Sequence, residues 1–256
     1  MRILLCNDDG INAPGMAVLE RIARMLSDDI FIVAPWEEQS GMGRSLTLTR
    51  PIRMHKLGER RYGVAGTPTD AVMMALAKLM KDSPPDLILS GVNRGANLGE
   101  DVSYSGTVSA AMEGALAGIR SISLSQVYSK DGADEDVSFA AAESWGERVI
   151  RPLLDAPWAP RTLVNINFPA REPDQVLGVR VVEQGLRDYG RTSFEQRTDP
   201  RGFDYYWLRL AGAPQTPGHS TDMEASRDGY VTVTPLHCNL THPPSMAALT
   251  ALYGGE

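Results

Sequence analysis

The stretch ILLCNDDGINAPGMAVLERIARMLSDDIFIVAP, residues 3–35, decides the fold. Ile3-Leu4-Leu5-Cys6 is a short apolar run halted by Asn7-Asp8-Asp9-Gly10, the pattern of a buried strand that ends in a turn. Pro14 then opens a helical pattern, with Met16, Leu19, Ile22, Ala23 and Leu26 spaced along one face. Ile30-Phe31-Ile32-Val33 is a second buried strand, closed by Ala34-Pro35. Strand, helix and strand in so short a span form a βαβ unit, whose two strands lie parallel in one sheet.

The alternation continues outward from this unit. Residues 36–45 (WEEQSGMGRS) are a polar loop, and Leu46–Thr49, Ile52–His55 and Arg61–Val64 are expected as shorter strands, a hairpin insertion. Thr67-Pro68-Thr69-Asp70 is a capping box with proline at the first helical position, opening a helix that carries Val72, Met73, Leu76, Leu79 and Met80. Asp86–Ser90 reads as another buried strand, running into Gly91-Val92-Asn93 and a glycine-rich loop. Ser105-Gly106-Thr107 begins the next helix, and Ile122–Val127 is the following strand. A polar loop (Ser129–Asp136) and a helix to about Leu154 come next. Residues 1–125 are therefore expected to be doubly wound α/β with a mostly parallel sheet. Residues 126–256 are expected to hold a helix, extended hairpins and a terminal helix. Leu163–Phe168, Val179–Val182, Tyr205–Leu210 and Tyr230–Pro235 are their strands, with no helix after Pro157 until Ser245–Tyr253.

Composition narrows the function. The 256 residues carry 25 Lys and Arg against 32 Asp and Glu, a net charge of −7, which argues against a broad nucleic-acid footprint. With 43% hydrophobic and 22% charged residues, the chain excludes intrinsic disorder, collagen and coiled coil. Two cysteines, Cys6 and Cys238, form no motif, and the absence of CxxC and HExxH gives no sign of structural zinc or a redox pair. No run approaches the ~18 apolar residues of a membrane span, and Ile3–Cys6 is far shorter than the ~7–15 residues of a signal-peptide core. The expected setting is the reducing cytoplasm, without membrane or duplex nucleic acid as partner.

Ligands of open α/β sheets bind outside the carboxyl ends of the strands. Asp8 and Asp9 follow the first strand, Ser40 follows the second and Asn93 follows the strand at 86–90, so hard oxygen atoms collect along one rim. Oxygen donors suit Mg2+, Mn2+ or Ca2+ and disfavour zinc, and adjacent carboxylates are costly to hold together without a cation. Asp-Gly is also a common turn pair, and neighbouring strand residues point to opposite faces. The two aspartates can therefore converge only if the chain bends at Gly10. Ser105-Gly106-Thr107, behind a loop holding Gly95, Asn97 and Gly99, places a helix N-terminus on the same rim, a ready anion site. No GxxxxGK[ST], complete GxGxxG or GxSxG motif is present. His55, His219, His237 and His242 show no ligand or triad spacing, and His237 is read as structural rather than catalytic.

Asn7-Asp8-Asp9-Gly10, Ser40-Gly41, Gly66-Thr67-Pro68-Thr69-Asp70, Ser90-Gly91-Val92-Asn93 and Tyr104-Ser105-Gly106-Thr107-Val108, in this order and spacing, resemble the stationary-phase survival protein SurE family. The likeness is dense to about residue 125 and returns at Val231–Leu236; Val92 and Ala71 depart from the usual isoleucine and cysteine. The resemblance implies a Rossmann-like catalytic part and a metal-dependent phosphomonoesterase acting on nucleoside 5′- and 3′-monophosphates. It implies one divalent cation per subunit, Mg2+ or Mn2+, held by Asp8, Asp9, Ser40 and Asn93. Asp8 or Asp9 would act on the attacking water, and Asn97, Ser105, Gly106 and Thr107 would hold the phosphate. It also implies a homodimer or homotetramer with C-terminal elements exchanged between subunits. The alternative is a nucleotide- or phosphate-binding sensor without catalysis, which the same helix N-terminus would serve.

Overall fold

β1 (Arg2–Cys6) runs through a nine-stranded sheet, flanked on both sides by parallel partners, β2 (Asp29–Pro35) and β5 (Leu87–Arg94). The computed structural model describes residues 1–128, 138–186, 192–210 and 220–254. The remaining strands are β3 (Met54–Gly58), β4 (Arg61–Val64), β6 (Arg120–Gln126), β7 (Thr162–Phe168), β8 (Val179–Val181) and β11 (Val231–His237). They complete the order β3-β4-β2-β1-β5-β6-β7-β11-β8. All neighbours are parallel except β3 with β4 and β7 with β11. β9 (Thr192–Thr198) and β10 (Asp204–Leu210) form a separate antiparallel ribbon.

Successive strand residues face opposite sides, so β1 feeds two cores at once. Ile3 and Leu5 pack with Met16, Leu19 and Ile22 of α1 (Pro14–Arg24) and with Val149 and Ile150 of α4 (Ala140–Asp155). Leu4 and Cys6 pack on the other side with Val72 of α2 (Pro68–Met74) and Ala110 of α3 (Gly106–Leu116). Helices on both faces of a mostly parallel sheet are the doubly wound α/β arrangement read from the sequence. The sheet does not stop near residue 125: β7, β11 and β8 extend it.

Four expectations change in detail. Leu46–Thr49 forms no strand. Polar groups of Ser45 and Thr47 serve the start of α2 instead: Asp70 accepts from the Thr47 amide (3.1 Å) and hydroxyl (2.6 Å), and the Thr67 hydroxyl donates to the Ser45 carbonyl (2.7 Å). The second helix is α-helical only to Met74 and continues as a π turn over Ala75–Leu79. β5 runs past Ser90 to Arg94. A short helix, α5 (Asp222–Asp228), precedes the terminal helix α6 (Pro243–Tyr253). The signal for α5 is the Thr221/Glu224 capping box and left-handed Gly229, hidden by the absence of any apolar period in seven residues. The Ser129–Asp136 loop and His219 lie outside the described residues.

Candidate active site

β1 leads directly into Asn7, Asp8 and Asp9 on the rim formed by the carboxyl ends of the parallel strands. The chain bends there as the sequence requires, with Gly10 at φ +100° and the Asn7 side-chain amide donating to the Gly10 carbonyl at 2.8 Å. Asp8 is buried, and one of its oxygens accepts a short hydrogen bond from the Thr107 hydroxyl. Gly106 stands against the same side chain: a Cβ on it would lie 2.7 Å from Asp8 Cβ. The N-terminus of α3, capped by Ser105 Oγ accepting from the Val108 amide at 3.0 Å, therefore abuts this carboxylate. Burial pushes the Asp8 carboxyl above its ordinary value, against hydrogen bonds from Thr107 and from the backbone at Gly106 and Thr107.

Asp9 turns to the end of β5, where Oδ2 accepts from the Arg94 amide at 3.2 Å. Burial, and then the charge of neighbouring Asp8, push it up to about 7. Asn93 reaches this rim through an irregularity in β5. Ser90 pairs with Ser123 and Asn93 with Ser125, so the strand carries an extra residue that re-aims the side chains beyond it. Gly91 takes φ +141° within it, where a Cβ would lie 2.2 Å from the Leu124 carbonyl oxygen. The Asn93 amide nitrogen donates to the Gly95 carbonyl at 3.0 Å, which engages the donor and leaves Oδ1 as the atom that could hold a cation.

Ser40 stands one residue beyond the contact that ties its loop to the site, the Gln39 amide donating to the Asp8 carbonyl at 2.8 Å. Its side chain is exposed and donates to Glu38 at 2.9 Å. Asn97 is buried, and its amide nitrogen donates to Ser125 Oγ at 2.7 Å. Asp8, Gly106 and Thr107 thus touch directly, Asp9 joins β5 beside Asn93, and Ser40 and Asn97 border the group through their loops. His237 lies apart, accepting at Nδ1 from the Asn239 amide at 3.1 Å. The Arg94 and Gln39 amides have no counterpart in the sequence reading, because a backbone donor leaves no side-chain signature.

Among the described residues neither Asp8 nor Asp9 forms a salt bridge, and no three His, Cys, Asp or Glu side chains converge to hold a metal. A cation on this rim would take its charge from two carboxylates and complete its shell with neutral oxygens. That donor set fits Mg2+ or Mn2+, and two neighbouring carboxyls both shifted upward by burial are what a bound cation would relieve.

The fold and rim define a class: doubly wound α/β proteins whose oxygen-rich rim shares a wall with a helix N-terminus. The Survival protein SurE family model matches residues 3–191. The chain is 77% identical over 253 residues to the 5′-nucleotidase SurE of Rhizorhabdus wittichii, covering 99% of this chain and 100% of that one. It is 60% identical over 241 residues to the 5′-nucleotidase SurE of Erythrobacter litoralis, covering 94% and 95%. The crystal structure of the SurE protein from Aquifex aeolicus superposes with a TM-score of 0.84 at 36% identity, covering 99% of this chain and 100% of that one. This chain belongs to the SurE family.

Proposed function

We propose that the chain is a metal-dependent 5′-nucleotidase that hydrolyses nucleoside 5′- and 3′-monophosphates to nucleoside and phosphate. The observation that carries this reading is the bond between Thr107 and Asp8, which sets the anion-binding end of α3 directly against the carboxylate pair. The curated relatives named 5′-nucleotidase support it over nearly the whole chain. Asp8, Asp9, Asn93 and Ser40 hold the cation, the serine after its hydroxyl turns from Glu38. When bound, a divalent cation supplies charge that polarises a phosphoryl oxygen and makes water more acidic. Ser105, Gly106, Thr107 and Asn97 orient the phosphate, and the positive end of the α3 dipole stabilises the charge that grows on its oxygens. Asp8 or Asp9 orients the attacking water and takes its proton.

Phosphate release from a panel of nucleoside 5′- and 3′-monophosphates, using chelator-stripped protein before and after Mg2+ or Mn2+, tests this. Release only with metal is the expected result. Binding without release, from folded and metal-loaded protein, would make the chain a nucleotide sensor instead.

Residues 1–125 form the catalytic part of this reading and residues 126–256 the assembling part, in a homodimer or homotetramer that exchanges C-terminal elements. The support is α6: it is rich in apolar residues yet buries none of them, and Leu252 and Tyr253 are 76% and 85% exposed. Light scattering of the full chain and of a chain ending at Cys238 should show a smaller assembly for the truncation; equal masses would refute the exchange. Among the described residues no helix is long and apolar enough to cross a membrane. Cys6 and Cys238 are free thiols, which suits the cytoplasm.

A further inference from the structure

Four polar side chains interrupt the α3-facing side of the sheet. The parallel register pairs Ser123 with Asn165 and Ser125 with Asn167, and a period of two puts all four on one face. All are fully buried. Buried amides of this kind are tolerated only when their hydrogen bonds are made, so their partners show what they are for.

The partners converge on one residue of the loop that leads to α3. Asn167 Oδ1 accepts from the Asn97 amide at 2.9 Å. The Asn97 carbonyl in turn accepts from Asn165 Nδ2 at 2.8 Å and from Asn167 Nδ2 at 3.1 Å. Ser123 donates to Asn165 Oδ1 at 2.8 Å, fixing which way that amide faces, and Ser125 accepts from the Asn97 side chain at 2.7 Å. Both backbone polar groups of Asn97 are thus held by side chains of β7.

Two residues on, the same loop is held from another direction. Asp222, fully buried at the start of α5, accepts from the Gly99 amide and the Gly185 amide, each at 2.9 Å. From Gly99 the chain turns once through Gly99–Ser103 and is pinned at Tyr104, whose amide donates to the Asp101 carbonyl at 2.9 Å and whose carbonyl accepts from the Gly43 amide at 3.0 Å. The next residue is Ser105, the cap of the helix end that touches Asp8.

We propose that Asn165 and Asn167 of β7, with Asp222 of α5, are positioning residues that set the α3 N-terminus and Asn97 for the phosphate. Each acts through the 97–105 loop, by its bonds to Asn97 or Gly99. The inference rests on the nucleotidase reading above.

The test compares Asn167→Asp, Ser123→Ala and Asp222→Asn with the unmodified chain, all loaded with Mn2+. Asn167→Asp keeps the acceptor for the Asn97 amide but turns an oxygen toward the Asn97 carbonyl; Ser123→Ala frees Asn165 to rotate. Four quantities are read: nucleotide kcat/KM, competitive inhibition by inorganic phosphate, Mn2+ affinity measured directly, and Tm. Since a 1 Å misplacement costs on the order of 100-fold, Asn167→Asp should lower kcat/KM by about tenfold to 100-fold. Phosphate inhibition should weaken with it while Mn2+ affinity stays unchanged, and Ser123→Ala and Asp222→Asn should move both in the same direction. Folded variants with unchanged kcat/KM and phosphate inhibition would overturn the inference, as would Mn2+ affinity falling in step with activity. If Asn167→Asp does not fold, the other two variants decide by the same criteria. An unmodified chain that releases no phosphate overturns the nucleotidase reading and this inference with it; active chains whose variants are indistinguishable overturn the inference alone.

Discussion

Gly106→Ala is the sharpest test of how the rim is assembled. The added methyl would lie 2.7 Å from Asp8 Cβ, 2.9 Å from Asp8 Oδ2 and 3.0 Å from Pro68 Cγ. Carbon atoms rest at about 3.5–4.0 Å, so the carboxylate and the α3 N-terminus must separate by about 1 Å. None of the three neighbours can swing aside cheaply. Pro68 is locked at the first position of α2, Asp8 is bonded to Thr107, and the backbone at Asp8 is held by Gln39. A displacement of that size costs on the order of 100-fold in turnover. Overpacking should cost about 1–3 kcal/mol of stability, less a fraction returned because alanine is the better helix former. The assay is nucleotide kcat/KM beside urea denaturation and Mn2+ binding. Gly58→Ala serves as control, because its added methyl meets only Arg61 Cβ at 3.7 Å. A folded Gly106→Ala protein with unmodified turnover and metal affinity would refute the claim that α3 and Asp8 share a wall.

Other expectations arise from the same geometry. Asp8→Asn should abolish most turnover while metal-free protein melts no lower than the unmodified chain, since burial already disfavours the charged form; calorimetry in chelator checks it. Asp9 keeps its proton to about 7 in the fold against an ordinary value of 3.8. Its contribution to metal-free stability is therefore full below 3.8 and lost as pH rises through 7. Melting in chelator across that window should fall less steeply in Asp9→Asn, and equal slopes would contradict the shift. Asp70→Ala removes acceptors for the Thr47 amide and hydroxyl and for the Thr67 amide, at 3.1, 2.6 and 2.8 Å. It should cost about 2 kcal/mol in urea denaturation. Burial pushes the Asp70 carboxyl up, but these bonds outweigh it and hold it low, so that contribution should disappear only on acidification below the ordinary carboxylate range.

Most of the framework is legible in the sequence because it depends on local periodicity. Apolar runs at 3–6 and 30–33, Pro14 and the Thr67–Asp70 box each specify an element through interactions within a few residues, and each element forms. Leu46–Thr49 misleads for the converse reason. Its alternating texture suits a strand, but a strand needs a partner, and its donors are taken by Asp70, more than 20 residues away. α5 escapes because seven residues are too few to display a period, although Thr221, Glu224 and Gly229 mark both its ends.

The sequence by itself determined which chemistry the rim can offer: two adjacent carboxylates, a serine and an asparagine behind strands, and a helix opening at Ser105. Residue identity and strand-end position suffice for that, since a parallel sheet delivers all its carboxyl ends to one side. Tertiary structure alone decided how those groups meet. That Thr107 bonds Asp8 across 99 residues, that the Arg94 amide serves Asp9, and that Asn97 is gripped by Asn165 and Asn167 result from sheet order, parallel register and the extra residue in β5. Such contacts join residues that are distant in the chain and often run through backbone groups common to every residue, so no local pattern encodes them.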